Sequence, residues 1–197
     1  MVERESAVKR LKANVRRRAI PIGRGLSRLG ITPNFLTVTG CLLNFGVGAV
    51  LAFGYDLIGG VLVLVVGAFD MLDGALARAT NRSTRFGAFL DSTLDRYSEA
   101  AVFLGILASA ATRGDVAIVL LTYTAAVGSL MVSYARARAE GLGLSCEVGM
   151  LQRPERIILL GLGLIFGLTL PALVILAVLT NVTAIQRILH VRGIARD

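Results

Sequence analysis

Tryptophan is absent from this 197-residue chain, histidine occurs once and cysteine twice. Without tryptophan there is no Trp belt of the kind that anchors many membrane proteins at the interface. The two cysteines, Cys41 in an apolar run and Cys146 in a polar loop, form no CxxC or Cys/His pattern, which excludes a disulfide framework and a zinc site. Charge is scarce too: 17% of residues are charged, where a soluble domain carries roughly a quarter. Acidic residues are the scarcer kind, 13 against 21 basic, for a net charge of +8. A secretory leader is not expected, because the basic run from Lys9 to Arg28 lacks a short apolar core and a small-residue cleavage site.

Apolar sequence fills the space that charge leaves. Hydrophobic residues make up 55% of the chain, and the mean hydropathy is +0.72. Apolar stretches fall at Phe35–Tyr55, Leu57–Thr80, Thr84–Ala111, Val116–Glu140, Arg156–Leu168 and Pro171–His190, most of them near the ~20 residues that a spanning helix needs. The expected fold class is all-α, a polytopic membrane protein with six transmembrane helices over residues 34–197. Residues 1–33 precede it as a cytoplasmic segment. There Val8, Leu11, Val15, Ala19 and Ile22 recur at helical spacing among basic residues, the pattern of an amphipathic helix lying on an anionic leaflet, although a disordered basic tag has the same charge. Thr32-Pro33-Asn34 breaks that helix and places Pro33 near the start of the first span.

Position, not sum, gives the charge its meaning. Arg4, Lys9, Arg10, Lys12, Arg16, Arg17, Arg18, Arg24 and Arg28 precede the first span; Arg78, Arg82 and Arg85 surround the second connection; Arg136, Arg138, Arg153 and Arg156 flank the fourth; Arg187, Arg192 and Arg196 close the chain. Arg113 alone stands on the other side. By the positive-inside rule both termini belong in the cytoplasm, in a multi-pass protein of the cell membrane, and the excess of cations asks for no nucleic acid partner. His190 ends the sixth span as an interfacial residue without an assigned role.

Against this background Asp70, Asp73, Asp91, Asp95, Arg96 and Glu99 are out of place, since ionisable groups in membrane spans are costly and usually functional. One or two near a helix end can snorkel to water; six are too many for that explanation. Asp70 and Asp73 are three apart and share a helix face, and Asp91 and Asp95, four apart, share a face of the next helix. A short turn joins the two helices, so the acidic faces are expected to converge near the cytoplasmic boundary. Carboxylates at close range repel unless a cation neutralises them. All-oxygen ligation favours Mg²⁺ or Mn²⁺, and four carboxylates are enough for two ions. Gly74, Ala77 and Gly87 stand one turn from Asp70, Asp73 and Asp91 and clear space beside them, although small residues in membrane helices are more often packing devices, as the Gly163/Gly167 pair is expected to be. Glu99 is expected to pair with Arg96.

Taken together, Asp70-x2-Asp73-Gly74-x2-Ala77-Arg78-x8-Gly87-x3-Asp91-x3-Asp95 resembles the signature of the CDP-alcohol phosphotransferases, the class I CDP-alcohol phosphatidyltransferases, with every fixed position matched. Thr32-Pro33-Asn34 is similar to that family as well. The resemblance implies six membrane helices, a homodimer, an active site open to the cytoplasm, a CDP-linked lipid donor, an alcohol acceptor and release of CMP. It implies that Asp70, Asp73, Asp91 and Asp95 hold the metals. Asp70, Asp73, Gly74, Ala77, Arg78 and Gly87 would line the nucleotide and CDP-lipid site, with Asp95 as the base that takes the acceptor's hydroxyl proton. The physics is consistent, since metals bridging a diphosphate offset its charge and stabilise CMP as a leaving group.

The acceptor has to be read from the arginines. Arg136, Arg138, Arg153, Arg156 and Arg187 fall at cytoplasmic helix ends. Positive-inside topology alone would put cations there, but a cluster of guanidinium groups also suits a phosphate dianion. Arg136 and Arg138 alternate in Tyr134-Ala-Arg-Ala-Arg-Ala-Glu140, and Arg153-Pro-Glu-Arg156 stands at a helix start, where anions are favoured. These segments, with Asp91-Ser-Thr-Leu-Asp95-Arg96, resemble the phosphatidylinositol-phosphate synthases, and depart from them at Arg136, where lysine is common, and in the loop Leu144–Gly149. The resemblance implies transfer from CDP-diacylglycerol, or a CDP-linked ether lipid, to inositol 1-phosphate. Arg136, Arg153 and Arg187 would then grip the acceptor phosphate, with Arg138 and Arg156 beside them. Glycerol 3-phosphate, the acceptor of phosphatidylglycerophosphate synthases, is the alternative. A cation transporter or channel would spread its carboxylates across the membrane, whereas these gather near one face. A catalytically dead scaffold would have lost a motif residue, and none is missing.

Overall fold

The structure is a computed structural model that describes residues 32–80 and 84–195, the side chains of residues 71–80 excepted. The expected amphipathic helix before Thr32, with Arg82 and Arg196, lies outside the described residues. Six α-helices follow in order, α1 Pro33–Ala52, α2 Asp56–Thr80, α3 Arg85–Thr112, α4 Val116–Gly141, α5 Arg153–Ile165 and α6 Thr169–Ile194, with no strand among the described residues.

Local sequence sets the boundaries. Thr32 caps α1 by accepting from the Phe35 N–H at 3.2 Å, with Pro33 in the first helical position, where its missing N–H is harmless. Thr84 does the same for α3, accepting from Gly87 N–H at 2.9 Å, and Asp115 for α4, accepting from Ile118 N–H at 3.0 Å. The fifth helix differs from its expected span, starting three residues earlier and ending three earlier. Pro154 is tolerated because it lies in the first turn of α5. The helix stops at Ile165 because Gly167 takes a left-handed φ of +68°. The expected Gly163/Gly167 packing pair is therefore corrected: Gly163 lies against Ala172, whereas Gly167 is the turn residue, with nothing around the place of a side chain.

Two compact units divide the chain, one reaching Leu43 and taking in Val66–Tyr97, the other comprising Asn44–Val65 and Ser98–Asp197. In the first unit α1 presents Gly40 directly to the carboxylate of Asp70 on α2. In the second unit helices meet through small residues, as membrane helices do when close backbone approach replaces a hydrophobic driving force. Gly48 and Gly105 bring the backbones of α1 and α3 together, and a side chain on Gly60 of α2 would stand 2.8 Å from the Gly161 carbonyl oxygen of α5. Between α4 and α6, Gly128 makes room for Thr180 and Asn181, and the Asn181 amide donates to the Thr124 carbonyl at 3.3 Å. Leu51, Val132, Leu164, Leu173 and Leu176 are fully buried, while Phe45, Leu104, Leu120, Tyr123, Val178 and Ile185 point outward. By length and composition Pro33–Ala52, Val116–Gly141 and Thr169–Ile194 are long and apolar enough to cross a membrane, and the outward apolar faces are those of a membrane protein.

Candidate active site

The first unit carries the aspartates. Asp70 and Asp73 stand three apart on α2; Asp70 is half-buried, and the side chains of Asp73, Gly74, Ala77 and Arg78 lie outside the described residues. Asp91 and Asp95, also half-buried, lie one turn apart on α3. Among the described residues no three His, Cys, Asp or Glu side chains form a group that could hold a metal ion; the expected convergence of four carboxylates includes Asp73, whose side chain lies outside them. The donor set itself suits a hard divalent cation, since every candidate ligand atom is a carboxylate oxygen. Gly40 leaves room for the Asp70 carboxylate, since a Cβ at position 40 would clash with its Oδ1. At Gly87 the neighbours are Thr84 Oγ1 and Asn34 Oδ1, 3.0 and 3.1 Å from the place of a Cβ.

The second unit carries the arginines expected to hold the acceptor, and they fall into different classes. Arg187, on α6, is 3% exposed. Its Nε donates to the Val148 carbonyl at 2.9 Å and its Nη1 to the Val132 carbonyl. These bonds fix the guanidinium between α4 and the α4–α5 connection and use two of its five N–H donors. No carboxylate lies within ion-pair distance of it among the described residues. Gly149, in that connection, has φ +132°, and a side chain there would strike Thr183.

Arg136 is half-exposed; its Nε donates to Glu140 at 2.8 Å and its Nη2 lies 3.9 Å from Glu147. Arg138 is exposed on the same last turns of α4, and Arg153 is half-buried at the start of α5.

The expected partner of Glu99 requires correction. Arg156 is 2% exposed, and its Nε and Nη2 donate to Glu99 Oε1 and Oε2 at 2.7 and 3.0 Å, a forked pair linking α5 to α3. Its Nη1 reaches the Leu151 carbonyl at 3.4 Å. Its charge is thus answered within the protein and its donors are turned inward. Glu99 in turn does not pair with Arg96, which donates to the Ser92 carbonyl of its own helix. Two parallel charge-assisted bonds inside the protein outweigh one pair along a helix surface. The partners are 57 residues apart, so no periodicity announces them. Gly40 was also missed, though its signal is present: Thr37, Gly40 and Asn44 form a small and polar stripe in an otherwise apolar helix.

The family model described as CDP-alcohol phosphatidyltransferase matches residues 30–192. The archaetidylinositol phosphate synthase of Pyrococcus horikoshii is 41% identical over 169 residues, 85% of this chain and 87% of that one. Among solved structures, the phosphatidylinositol phosphate synthase of Mycobacterium tuberculosis with CDP-DAG bound superposes with a TM-score of 0.83 at 36% identity, over 89% of this chain and 94% of its own. The same enzyme in complex with manganese and citrate gives 0.81 at 36% identity, over 88% of each chain.

Proposed function

This chain belongs to the CDP-alcohol phosphatidyltransferase family, and from that membership we propose that it transfers the phosphatidyl group of CDP-diacylglycerol, or the equivalent group of a CDP-linked ether lipid, to inositol 1-phosphate. The products are phosphatidylinositol phosphate, or its ether-lipid counterpart, and CMP. The observation that carries the acceptor is Arg187: a buried guanidinium held by two carbonyls, and by no carboxylate among the described residues, is costly unless an anion answers it. Arg153 and Arg136 complete the grip on the acceptor phosphate, with the exposed Arg138 at its margin.

The chemistry assigned to the aspartates follows from their donor type. Asp70, Asp73, Asp91 and Asp95 would hold two divalent ions, Mg²⁺ or Mn²⁺, which when bound offset the charge of the donor diphosphate and of departing CMP. The manganese complex of the M. tuberculosis relative supports that assignment. Gly74, Ala77, Arg78 and Gly87 line the nucleotide. The acceptor's hydroxyl oxygen forms a bond to the lipid-side phosphorus while the bond from that phosphorus to CMP breaks. CMP leaves with the electron pair, and the hydroxyl proton passes to the Asp95 carboxylate. In this reading all six helices lie in the cell membrane with both termini cytoplasmic, residues 1–33 rest on the inner leaflet, and the protein works as a homodimer.

The test supplies purified protein with CDP-diacylglycerol and either Mg²⁺ or Mn²⁺, then with inositol 1-phosphate, glycerol 3-phosphate or free inositol in parallel. CMP release with inositol 1-phosphate is expected. Release only with glycerol 3-phosphate overturns the acceptor, and release with none overturns the transferase.

A further inference from the structure

Both buried arginines of the second unit hold the same stretch of backbone. Arg187 takes the Val148 carbonyl and Arg156 the Leu151 carbonyl, so the α4–α5 connection is pinned at two points three residues apart. Among the described residues only one of the two has a carboxylate partner. Arg156 has its forked partner in Glu99, whose side chain is 15% exposed against 3% for the arginine. Gln152, at the start of α5, makes no side-chain cap, so the first turn of that helix is not fixed from in front. It is fixed from within: the guanidinium of Arg156 reaches back to the residue before the cap and sideways to α3. Arg153 belongs to that same first turn, three residues before Arg156, and so on the same side of the helix.

We propose that Glu99 and Arg156 form a positioning pair for the acceptor-phosphate site: they touch no substrate, and they set the first turn of α5 so that Arg153 is presented to the phosphate while the pinned connection keeps Arg187 in place. The proposal rests on the acceptor reading above. Its physical content is a division of labour by charge. A guanidinium already neutralised by a bidentate carboxylate has little left for a dianion, but it is stiff, because two parallel bonds fix both its distance and its plane. A guanidinium held only by carbonyls keeps its charge for the ligand. Glu99 keeps Arg156 in the first class. It thereby prevents a second, misplaced cation from competing for the phosphate.

Three variants test this, all read by CMP release with separate titration of acceptor and CDP-lipid. Glu99→Gln keeps the shape but loses one carboxylate oxygen and the charge. Arg156→Lys keeps the charge but cannot span both oxygens or reach Leu151. Each is expected to raise the acceptor KM by about tenfold, the order expected for one lost charge-assisted hydrogen bond, with the CDP-lipid KM within about twofold of the parent. The double variant Glu99→Leu/Arg156→Met removes both charges together. Buried pairs replaced by apolar residues generally keep or gain stability, so its Tm is expected to match the parent while the acceptor KM stays raised. Recovery of both Tm and acceptor KM in the double variant would reduce the pair to a structural element and overturn the proposal. So would an equal rise of both KM values in the single variants. If the parent protein releases no CMP with any phosphorylated acceptor, the acceptor reading fails first and the positioning role falls with it.

Discussion

Gly40 and Asp70 are so close that a carboxylate oxygen of the aspartate stands where the side chain of any other residue at position 40 would begin. Gly46, on the same helix, has open space in the corresponding place. Gly40→Ala should therefore displace the Asp70 carboxylate, and overpacking of this kind costs typically ~1–3 kcal/mol. A lower Tm in metal-free protein and at least about tenfold weaker Mn²⁺ binding, followed by electron paramagnetic resonance, are expected, with Gly46→Ala unchanged. Combined with Asp70→Ala, the Gly40→Ala penalty on Tm should vanish; a penalty that persists would place the clash elsewhere.

Asp95→Asn removes the proposed proton acceptor but leaves a side chain of the same size. General base catalysis contributes about 10²–10⁴-fold, so CMP release should fall by that order while CDP binding, measured by calorimetry, stays within a few-fold. Equal loss of binding and turnover would make Asp95 chiefly a metal ligand.

The unpaired charge of Arg187 trades stability against function. Arg187→Met is expected to leave the Tm equal to or above that of the parent, because it removes a buried cation that no carboxylate answers among the described residues. Inositol 1-phosphate at about 100 times its Kd should raise the stability of the parent by ~2.7 kcal/mol through binding linkage, and that of the variant scarcely at all. A variant still stabilised by the ligand would remove Arg187 from the phosphate site.

Arg136 is held by Glu140 at 2.8 Å and approached by Glu147 at 3.9 Å, both on the surface. An acceptor phosphate has to displace that contact. Exposed pairs are worth about 0.2–1 kcal/mol, so Glu140→Ala should lower the acceptor KM by up to about fivefold, an effect that fades as salt screens the pair. An unchanged KM at low salt would show that Arg136 does not reach the acceptor.

Much of this architecture was legible because the signals are local. The caps at Thr32 and Thr84 and the proline at Pro33 fix helix starts within a few residues, and the periodicity of Asp70/Asp73 and Asp91/Asp95 places each pair on one helix face. What could not be read depends on partners far apart in sequence or on backbone conformation. Glu99 has a near neighbour in Arg96 and a distant one in Arg156, and only packing decides for the distant one, by burying it. Gly163 and Gly167 share a spacing, but only a φ of +68° shows that the second is a turn. The C-terminal end of α5 shifted for the same reason, since the left-handed Gly167 stops the helix at Ile165.

With 13 residues α5 is only about 20 Å long at 1.5 Å per residue, against ~30 Å of bilayer hydrocarbon. It begins with two arginines and ends at a glycine turn. Such a segment has no reason to leave water by itself. The counter-charge for Arg156 comes from α3, and the groove that receives Gly161 comes from Gly60 and Leu64 of α2. During synthesis these neighbours emerge first, so α5 is a latecomer that enters a berth already built. The order of the helices along the chain is thereby also the order in which the contacts of α5 become available, its counter-charge and its groove both preceding it.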